Sequence, residues 1–282
     1  MPGTLYVVAT PIGNLADITL RALTILREVD LIAAEDTRVT RKLLEHYAID
    51  TPTTPYHQHS LARKAEKLLG MLKAGRNIAL VSDAGTPGIS DPGHAIISLA
   101  IGDGLPVVAI PGPNAIITAL VVSGLSTRRF AFEGFPPRRS GERRTLFSAL
   151  RQEPRTMVFY ESPNRLLSTL RDMLAVWGDR QITVVREATK LFEEVHRGTI
   201  SSAIERFTAA KPKGEITLVV AGAIVRAAEI SSDEIEAALR ECLAEGLSER
   251  DAVRRVAAIC AVPKKEVYRL MVEMKGESAD EP

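Results

Sequence analysis

The chain has 282 residues and a net charge of +1, with 45% hydrophobic and 25% charged residues. This composition is typical of a globular protein of more than one domain, and the near-neutral charge argues against a uniformly basic nucleic-acid binder. No apolar run reaches transmembrane length, and the first predicted strand is not preceded by a basic segment and an apolar one. We therefore expect a soluble, cytoplasmic protein with no membrane partner.

Strand and helix patterns alternate over the first three quarters of the chain. The apolar runs that predict strands lie near residues 5–9, 31–34, 77–82, 106–110, 130–132, 156–160, 182–186 and 216–221. The amphipathic patterns that predict helices lie near 19–27, 41–47, 61–73, 114–122, 142–152, 164–176 and 200–209. This alternation indicates an α/β fold, with a largely parallel sheet in its first half.

Beyond Ala223 the pattern is helical only, with a capping box at Ser248–Asp251 and Pro263 in the first turn of a last helix. The acidic end of the chain predicts a disordered tail. We expect four segments: an N-terminal α/β domain over 1–114, a C-terminal α/β domain over 115–225, a helical extension over 226–275, and a disordered tail over 276–282.

The segment Ser82–Gly93 is the most informative motif. It reads Ser-Asp-Ala-Gly-Thr-Pro-Gly-Ile-Ser-Asp-Pro-Gly and follows a predicted strand, as do the shorter turns Thr10–Asn14 and Pro111–Ala115. Glycine lets a ligand approach the backbone closely, and ligands of open α/β sheets bind at the carboxyl ends of strands. These turns favour a small polar cofactor over ordinary βα connections. Neither a Gly-x-Gly-x-x-Gly fingerprint nor a P-loop occurs, which disfavours nicotinamide and ATP.

Polar residues follow other predicted strands. Glu35 and Asp36 either cap a helix or place a carboxylate in the cleft, and the sequence leaves both interpretations open. The segment Tyr160–Arg165 is consistent with a substrate wall, or with helix capping alone. Arg186–Lys190 forms a comparable edge, and Lys211–Glu215, before the last strand, is consistent with a return to the same cleft.

The loop 136–144 carries four arginines, and two more lie at 128–129. This run is either a solvated surface or a phosphate-binding one. His57 and His59 lack a partnering carboxylate pattern, and Cys242 and Cys260 form no Cys-x-x-Cys pair, so we expect no metal. Two buried thiols in a reducing compartment is the expected state of the cysteines.

Together these motifs resemble the ribosomal small subunit methyltransferase I family, within the tetrapyrrole methylase superfamily. The matching segments occur in family order: Thr10–Asn14, Ala34–Arg38, Ser82–Gly93, Pro111–Ala115 and Phe159–Pro163. The terminal helices resemble that family's helix-turn-helix extension. The resemblance implies a homodimer of two α/β domains with S-adenosylmethionine in the cleft between them. It also implies 2'-O-methylation of a cytidine in the decoding centre of 16S rRNA, in the free RNA or the small ribosomal subunit.

Carried over position by position, the resemblance implies that the cofactor contacts come from both halves of the protein. The implied cofactor-binding residues are Pro11, Asp83, Ala84, Gly85, Thr86, Pro87, Gly88, Ile89, Ser90, Asp91, Pro113, Asn114, Ala115, Tyr160, Glu161 and Thr189.

A ribose hydroxyl is a weak nucleophile, so a nearby base should assist its deprotonation. Asp36, Glu35 and Lys213 are the candidates, because all three fall at predicted strand ends. The residues expected to hold the RNA backbone are Arg128, Arg129, Arg138, Arg139, Arg143 and Arg144. Two alternatives stay open: a methyltransferase for a small molecule of the tetrapyrrole type, and a non-catalytic RNA-binding assembly factor.

Overall fold

The computed structural model describes residues 1–56, 61–91, 93–223, 231–260 and 262–277. The chain divides into two compact units, Met1–Ala223 and Ile224–Pro282. The ten strands are β1 Leu5–Val8, β2 Leu31–Ala34, β3 Thr53–Pro55, β4 Ile78–Val81, β5 Val107–Ile110, β6 Phe130–Phe132, β7 Thr156–Glu161, β8 Gln181–Arg186, β9 Glu194–Thr199 and β10 Ile216–Val220, all within the described residues. The described helices are α1 Leu20–Glu28, α2 Thr37–His46, α3 Leu61–Lys73, α4 His94–Gly102, α5 Ala115–Val122, α6 Ser140–Ala149, α7 Leu166–Trp177, α8 Ile200–Ala209, α9 Ser232–Ala244, α10 Glu249–Ile259 and α11 Lys264–Glu277.

The first unit contains two five-stranded sheets. The first sheet has the order β3-β2-β4-β1-β5 and is parallel throughout, which confirms the prediction from βα alternation. The second has the order β6-β7-β10-β8-β9, with β6 parallel to β7 and the remaining pairs antiparallel. An α/β fold is therefore confirmed, with one parallel and one mixed sheet.

Two strands escape prediction from the sequence. β3 is three residues long and ends in a proline, so it lacks the alternation that identifies a strand. β9 reads Glu-Val-His-Arg-Gly-Thr and is an edge strand of the second sheet, where half-buried polar and charged side chains are common. Both strands are therefore formed by pairing with a neighbour rather than by local apolar sequence.

Buried apolar side chains cover the faces of both sheets. Leu26, Ile32 and Leu72 are fully buried around the first sheet, and Phe159 and Leu218 lie in the core of the second. Helix α5 packs on the other face of the second sheet, against strands β7 and β10. The predicted boundary between residues 114 and 115 stays a prediction; the helix that begins there packs against the second sheet.

The second unit holds three helices around Leu239, Val256 and Val267. Ser231 and Glu234 form a capping box at α9, and the Ser248 hydroxyl accepts a hydrogen bond from the Asp251 amide at α10. Both cysteines are buried here, as expected.

Helix α11 extends to Glu277, so the prediction of disorder from residue 276 is wrong for Gly276 and Glu277. The rest of the predicted tail lies outside the described residues, as do His57, His59 and the predicted domain boundary at 225. In the described ranges no helix is long and apolar enough to cross a membrane, and no group of three metal-ligating side chains is placed to hold an ion.

Candidate active site

The Gly/Pro turns meet at one edge of the first sheet, because they follow parallel strands. The Thr10 amide donates to the Gly85 carbonyl at 2.9 Å, and the Gly85 amide donates to the Thr10 carbonyl at 3.0 Å. The Thr10 hydroxyl also donates to the Ser82 carbonyl at 3.0 Å. Gly85 has a φ of +80°, which side chains rarely adopt, so a glycine is needed for this paired turn.

A cavity of about 350 Å³ opens between this edge and the second sheet, a size that ligand pockets of proteins commonly have. Ten of the predicted cofactor-binding residues line it: Ala84, Gly85, Thr86, Ile89, Ser90, Asp91, Asn114, Ala115, Tyr160 and Glu161. The other six predicted residues are not among its lining: Pro11, Asp83, Pro87, Gly88, Pro113 and Thr189.

Sequence reasoning missed part of the wall. The additional lining residues are Ile12, Phe135, Ser162, Pro163, Val185, Ala188, Gly214, Glu215, Ile216 and Thr217. Five of these belong to segments whose sequence is consistent with a substrate wall, and Ile12 lies in the first Gly/Pro turn; the five are Ser162, Pro163, Ala188, Gly214 and Glu215. The apolar members carry no chemical signature, since buried valine and isoleucine are typical of any strand.

Strained backbone is concentrated around this cavity. Among the described residues, the non-glycine positions with positive φ are Ala48, Ser90, Glu187 and Thr189. Ser90 lines the cavity, and Glu187 and Thr189 flank its lining residue Ala188. Such conformations cost free energy and cluster at functional sites.

Hydrogen bonds hold the loop after β8 in place. The Lys190 ammonium lies 2.8 Å from a Glu187 carboxylate oxygen and 3.1 Å from one of Glu215. The Glu215 amide donates a hydrogen bond to the Glu187 carboxylate, and the Glu187 amide donates one to the Glu215 carbonyl. The Lys190 stem lies over Gly13, where an added Cβ would come within 2.4 Å of it. Because Gly13 has no side chain, the loop after β8 can pack against the turn Thr10–Asn14.

A cluster of carboxylates lies beside the cavity. The Asp83 amide donates to Glu35 at 3.3 Å, and the Asp36 amide donates to the Asp83 carboxylate at 3.0 Å. Burial raises the pKa of Asp91 to about 6, aided by the charges of Glu35 and Asp83 and opposed by a Ser82 hydrogen bond. Burial likewise raises the pKa values of Glu35 and Asp83.

The predicted catalytic residues do not line the cavity. Asp36 caps α2 by accepting from the Arg38 amide at 2.8 Å, and its hydrogen bonds with the Arg38 side chain lower its pKa to about 2. So weak a base accepts a proton poorly at neutral pH. Lys213 lines a different cavity, described below. Glu35 is not among the lining residues of the cavity and belongs to the carboxylate cluster beside it.

Two residues of the second sheet have distinct roles at the site. The Tyr160 ring packs against Phe132 and Phe135, with centroids 5.0 and 5.4 Å apart. Burial raises the pKa of Tyr160 to about 12, helped by the charges of Asp91 and Glu215, so its hydroxyl stays protonated. The Glu161 carboxylate is buried and accepts from Thr169 at 2.5 Å, which makes it a positioning residue for the strand end.

The arginines of the loop 136–144 differ in exposure: one is buried and the others are exposed. Arg143 is only 3% exposed and donates to Asp172 and to the carbonyls of Pro137 and Arg138, so the expectation that it contacts RNA is wrong. Its guanidinium therefore stabilises the conformation of the loop 136–144. Arg144 also bonds to Asp172, at 2.7 Å, while remaining largely exposed. The exposed members of the set are Arg128, Arg129, Arg138, Arg139 and Arg144.

Comparison with known proteins agrees with this architecture. The family model described as Tetrapyrrole (Corrin/Porphyrin) Methylases matches residues 4–204, and the one described as RsmI C-terminal HTH domain matches residues 229–275. Uroporphyrin-III C-methyltransferase from Thermus thermophilus, solved in complex with S-adenosylhomocysteine, has a TM-score of 0.55 at 20% identity. That alignment covers 79% of this chain and 99% of the solved one, and it shows a shared fold.

Two relatives match along nearly their whole length. Ribosomal RNA small subunit methyltransferase I of Synechocystis sp. is 47% identical over 98% of this chain and 99% of its own. The protein of the same name from Halalkalibacterium halodurans is 44% identical over 95% of this chain and 94% of its own. The chain therefore belongs to the ribosomal RNA small subunit methyltransferase I family, within the tetrapyrrole methylases.

Proposed function

We propose that this protein transfers a methyl group from S-adenosylmethionine to the ribose 2'-oxygen of a cytidine in 16S rRNA, in the decoding centre of the small subunit. The observation that supports it most is the cavity, because its wall combines the Ser82–Gly93 loop with residues of the second sheet. The full-length likeness to small-subunit rRNA methyltransferases favours an RNA substrate over a tetrapyrrole.

The residues present fit the cofactor. Ile12, Ile89 and Val185 supply apolar surface for an adenine ring, while Thr86 and Asp91 supply polar groups. The positive φ of Gly85 opens the backbone to close approach. Carboxylates beside the cavity complement the positive charge of a sulfonium. When bound, S-adenosylmethionine supplies a methyl group that is already activated for transfer.

The protein must then hold the ribose hydroxyl in line and accept its proton. Asp91 is the best-placed acceptor, since this residue lines the cavity and its pKa of about 6 lets it be ionised yet basic near neutral pH. Glu35 and Asp83 act on it through their charges, and both lie outside the cavity wall. We therefore propose Asp91 as the general base in place of Asp36 and Lys213.

The test of this function is methyl transfer itself. Purified protein and radiolabelled cofactor are incubated with small ribosomal subunits, free 16S rRNA and tetrapyrrole precursors in parallel. We expect label in ribosomal RNA, at a cytidine resistant to alkaline cleavage on its 3' side. Label in a tetrapyrrole alone would favour the small-molecule alternative, and no label in any acceptor would favour a non-catalytic assembly factor.

We propose a homodimer as the active form. Ile117 and Val121 lie one turn apart on α5 and are 47% and 66% exposed. Contiguous exposed apolar groups of this kind mark association surfaces. Light scattering should report a molar mass twice that of one chain for the wild type, and the mass of one chain for Val121→Glu. A monomeric wild type would contradict the proposal.

The exposed arginines are proposed to contact the RNA backbone. Replacing Arg128 and Arg138 together by alanine is expected to weaken RNA binding about tenfold and to flatten its salt dependence, because the RNA then releases fewer counterions when it binds. Arg21→Ala with Arg41→Ala is the charge-matched control on another surface. Fluorescence anisotropy measures RNA affinity, and calorimetry measures cofactor affinity. An equally large weakening in the control pair contradicts the assignment.

A further inference from the structure

A second cavity, of about 320 Å³, is lined by a different set of residues. Four cationic side chains line it, with two acidic ones and two phenylalanines: Arg186, Arg206, Lys211, Lys213, Glu187, Glu194, Phe192 and Phe207. None of these side chains lines the first cavity, although the segments Arg186–Lys190 and Lys211–Glu215 are consistent with a substrate wall from their sequence.

Its acidic groups are already paired. Glu194 lies between two arginines, 2.9 Å from Arg186 and 2.5 Å from Arg206. Glu187 pairs with Lys190 at 2.8 Å. Among the described residues, the ion pairs around this cavity involve neither Lys211 nor Lys213, and both lysines are exposed. The rim therefore offers two unneutralised ammonium groups to an anion.

An aromatic ring lies at the same rim. Phe192 lines the cavity and is 69% exposed, next to Leu191, which is 91% exposed. Large apolar groups that are exposed together in this way mark a surface that a partner covers. Proteins that bind single-stranded RNA combine exposed rings, on which bases stack, with cations that follow the backbone. Duplex RNA keeps its bases stacked internally and cannot use such a ring in this way.

The two cavities meet at one end of the second sheet. Val185 lines the first cavity and its neighbour Arg186 lines the second; Gly214 lines the first and its neighbour Lys213 the second. Successive side chains of a strand point to opposite faces of the sheet, so only the chain at the ends of β8 and β10 separates the two cavities. The second cavity is therefore within reach of a nucleotide that flanks one held in the first.

We propose that the second cavity binds an unpaired nucleotide flanking the methylated one, with its phosphate on Lys211 and Lys213 and its base stacked on Phe192. This rests on the proposed RNA substrate and extends it. It makes Lys213 a phosphate ligand and separates it from the chemistry of methyl transfer. It also predicts that the target is read as an open strand.

The test compares variants on two labelled RNAs, a short single strand carrying the target sequence and a hairpin duplex of the same composition, with S-adenosylhomocysteine present. Lys211→Ala with Lys213→Ala is expected to weaken single-strand binding about tenfold and to lower the salt slope by about 0.7 per phosphate contact. Phe192→Ala is expected to weaken it about tenfold with the slope unchanged, and Phe192→Trp to restore it. Lys42→Ala with Lys67→Ala is the charge-matched control.

The outcomes separate this inference from the proposed function. Wild-type protein that methylates ribosomal RNA while the cavity variants bind the single strand within about twofold of it would overturn the inference alone. Equal weakening on the hairpin and the single strand would also overturn it, as that indicates a general anion surface. Absence of any methylation by the wild type would count against the proposed function, whereas the binding assay would still decide the inference.

Discussion

Replacing Asp91 by asparagine is expected to slow methyl transfer by about a hundredfold to ten-thousandfold, the range that general bases contribute. The asparagine keeps the shape and a hydrogen-bonding oxygen but accepts no proton. In the wild type, kcat/KM for S-adenosylmethionine should rise with pH through about 6, where Asp91 loses its proton, and level off above that. The variant should show a slow rate without this rise.

Stability provides the control for this variant. Burial raises the pKa of Asp91 above its ordinary value, so the fold favours the protonated acid and its contribution to stability is lost as pH rises through about 6. Asp91→Asn should therefore be at least as stable as the wild type at neutral pH in thermal unfolding. Asp50→Asn, which makes the same change at an exposed acid outside the cavity wall, is expected to retain the rate. Wild-type turnover by Asp91→Asn would show that this carboxylate is not the base.

The second large effect concerns the buried ion pair below the arginine loop. Asp172 accepts from Arg143 at 2.8 Å, from Ser140 at 2.9 Å and from Arg144 at 2.7 Å. Asp172→Ala leaves the buried Arg143 guanidinium without its counter-ion, which is expected to cost about 3–5 kcal/mol in the free energy of unfolding. Chemical denaturation measures this decrease.

The pH dependence of this pair has the opposite sign to that of Asp91. Burial alone would raise the pKa of Asp172, but hydrogen bonds from Arg144, Ser140 and Arg143 lower it overall. Its contribution is therefore present above the ordinary carboxyl pKa and lost as pH falls through the lowered value. Arg144→Ala, which removes an exposed partner, should cost no more than about 1 kcal/mol. An Asp172→Ala variant as stable as Arg144→Ala would contradict the buried-pair account.

The parts of this protein that sequence predicts well are those where local chemistry constrains the backbone. The parallel sheet follows from apolar runs alternating with helical patterns, and the ligand-facing turn at Gly85 follows from glycines and prolines after a strand. Ten of the sixteen cofactor-binding residues implied by the family resemblance line the cavity; eight of them lie within or beside such turns, and Tyr160 and Glu161 end β7.

The parts that sequence misses depend on residues far apart in the chain. From the sequence, Arg143 cannot be distinguished from the exposed arginines around it, because its partner Asp172 lies 29 positions away. Val185 and Ile216 line the cavity only because the second sheet brings β8 and β10 together. The raised pKa of Asp91 likewise arises from its burial and from the charges of Glu35 and Asp83, and no local sequence pattern predicts it.

Calorimetric titration with S-adenosylmethionine tests most directly whether the first cavity, between the two sheets, binds the cofactor. Ala115 begins α5 at the cavity wall, so Ala115→Phe fills the space a ligand would occupy, whereas Ala74→Phe places the same ring on an exposed surface. We expect one molecule bound per wild-type chain, the same binding by the Ala74 variant, and severely weakened binding by a folded Ala115 variant. Undiminished binding by the Ala115 variant, or none by the wild type, would contradict a cofactor site between the two sheets.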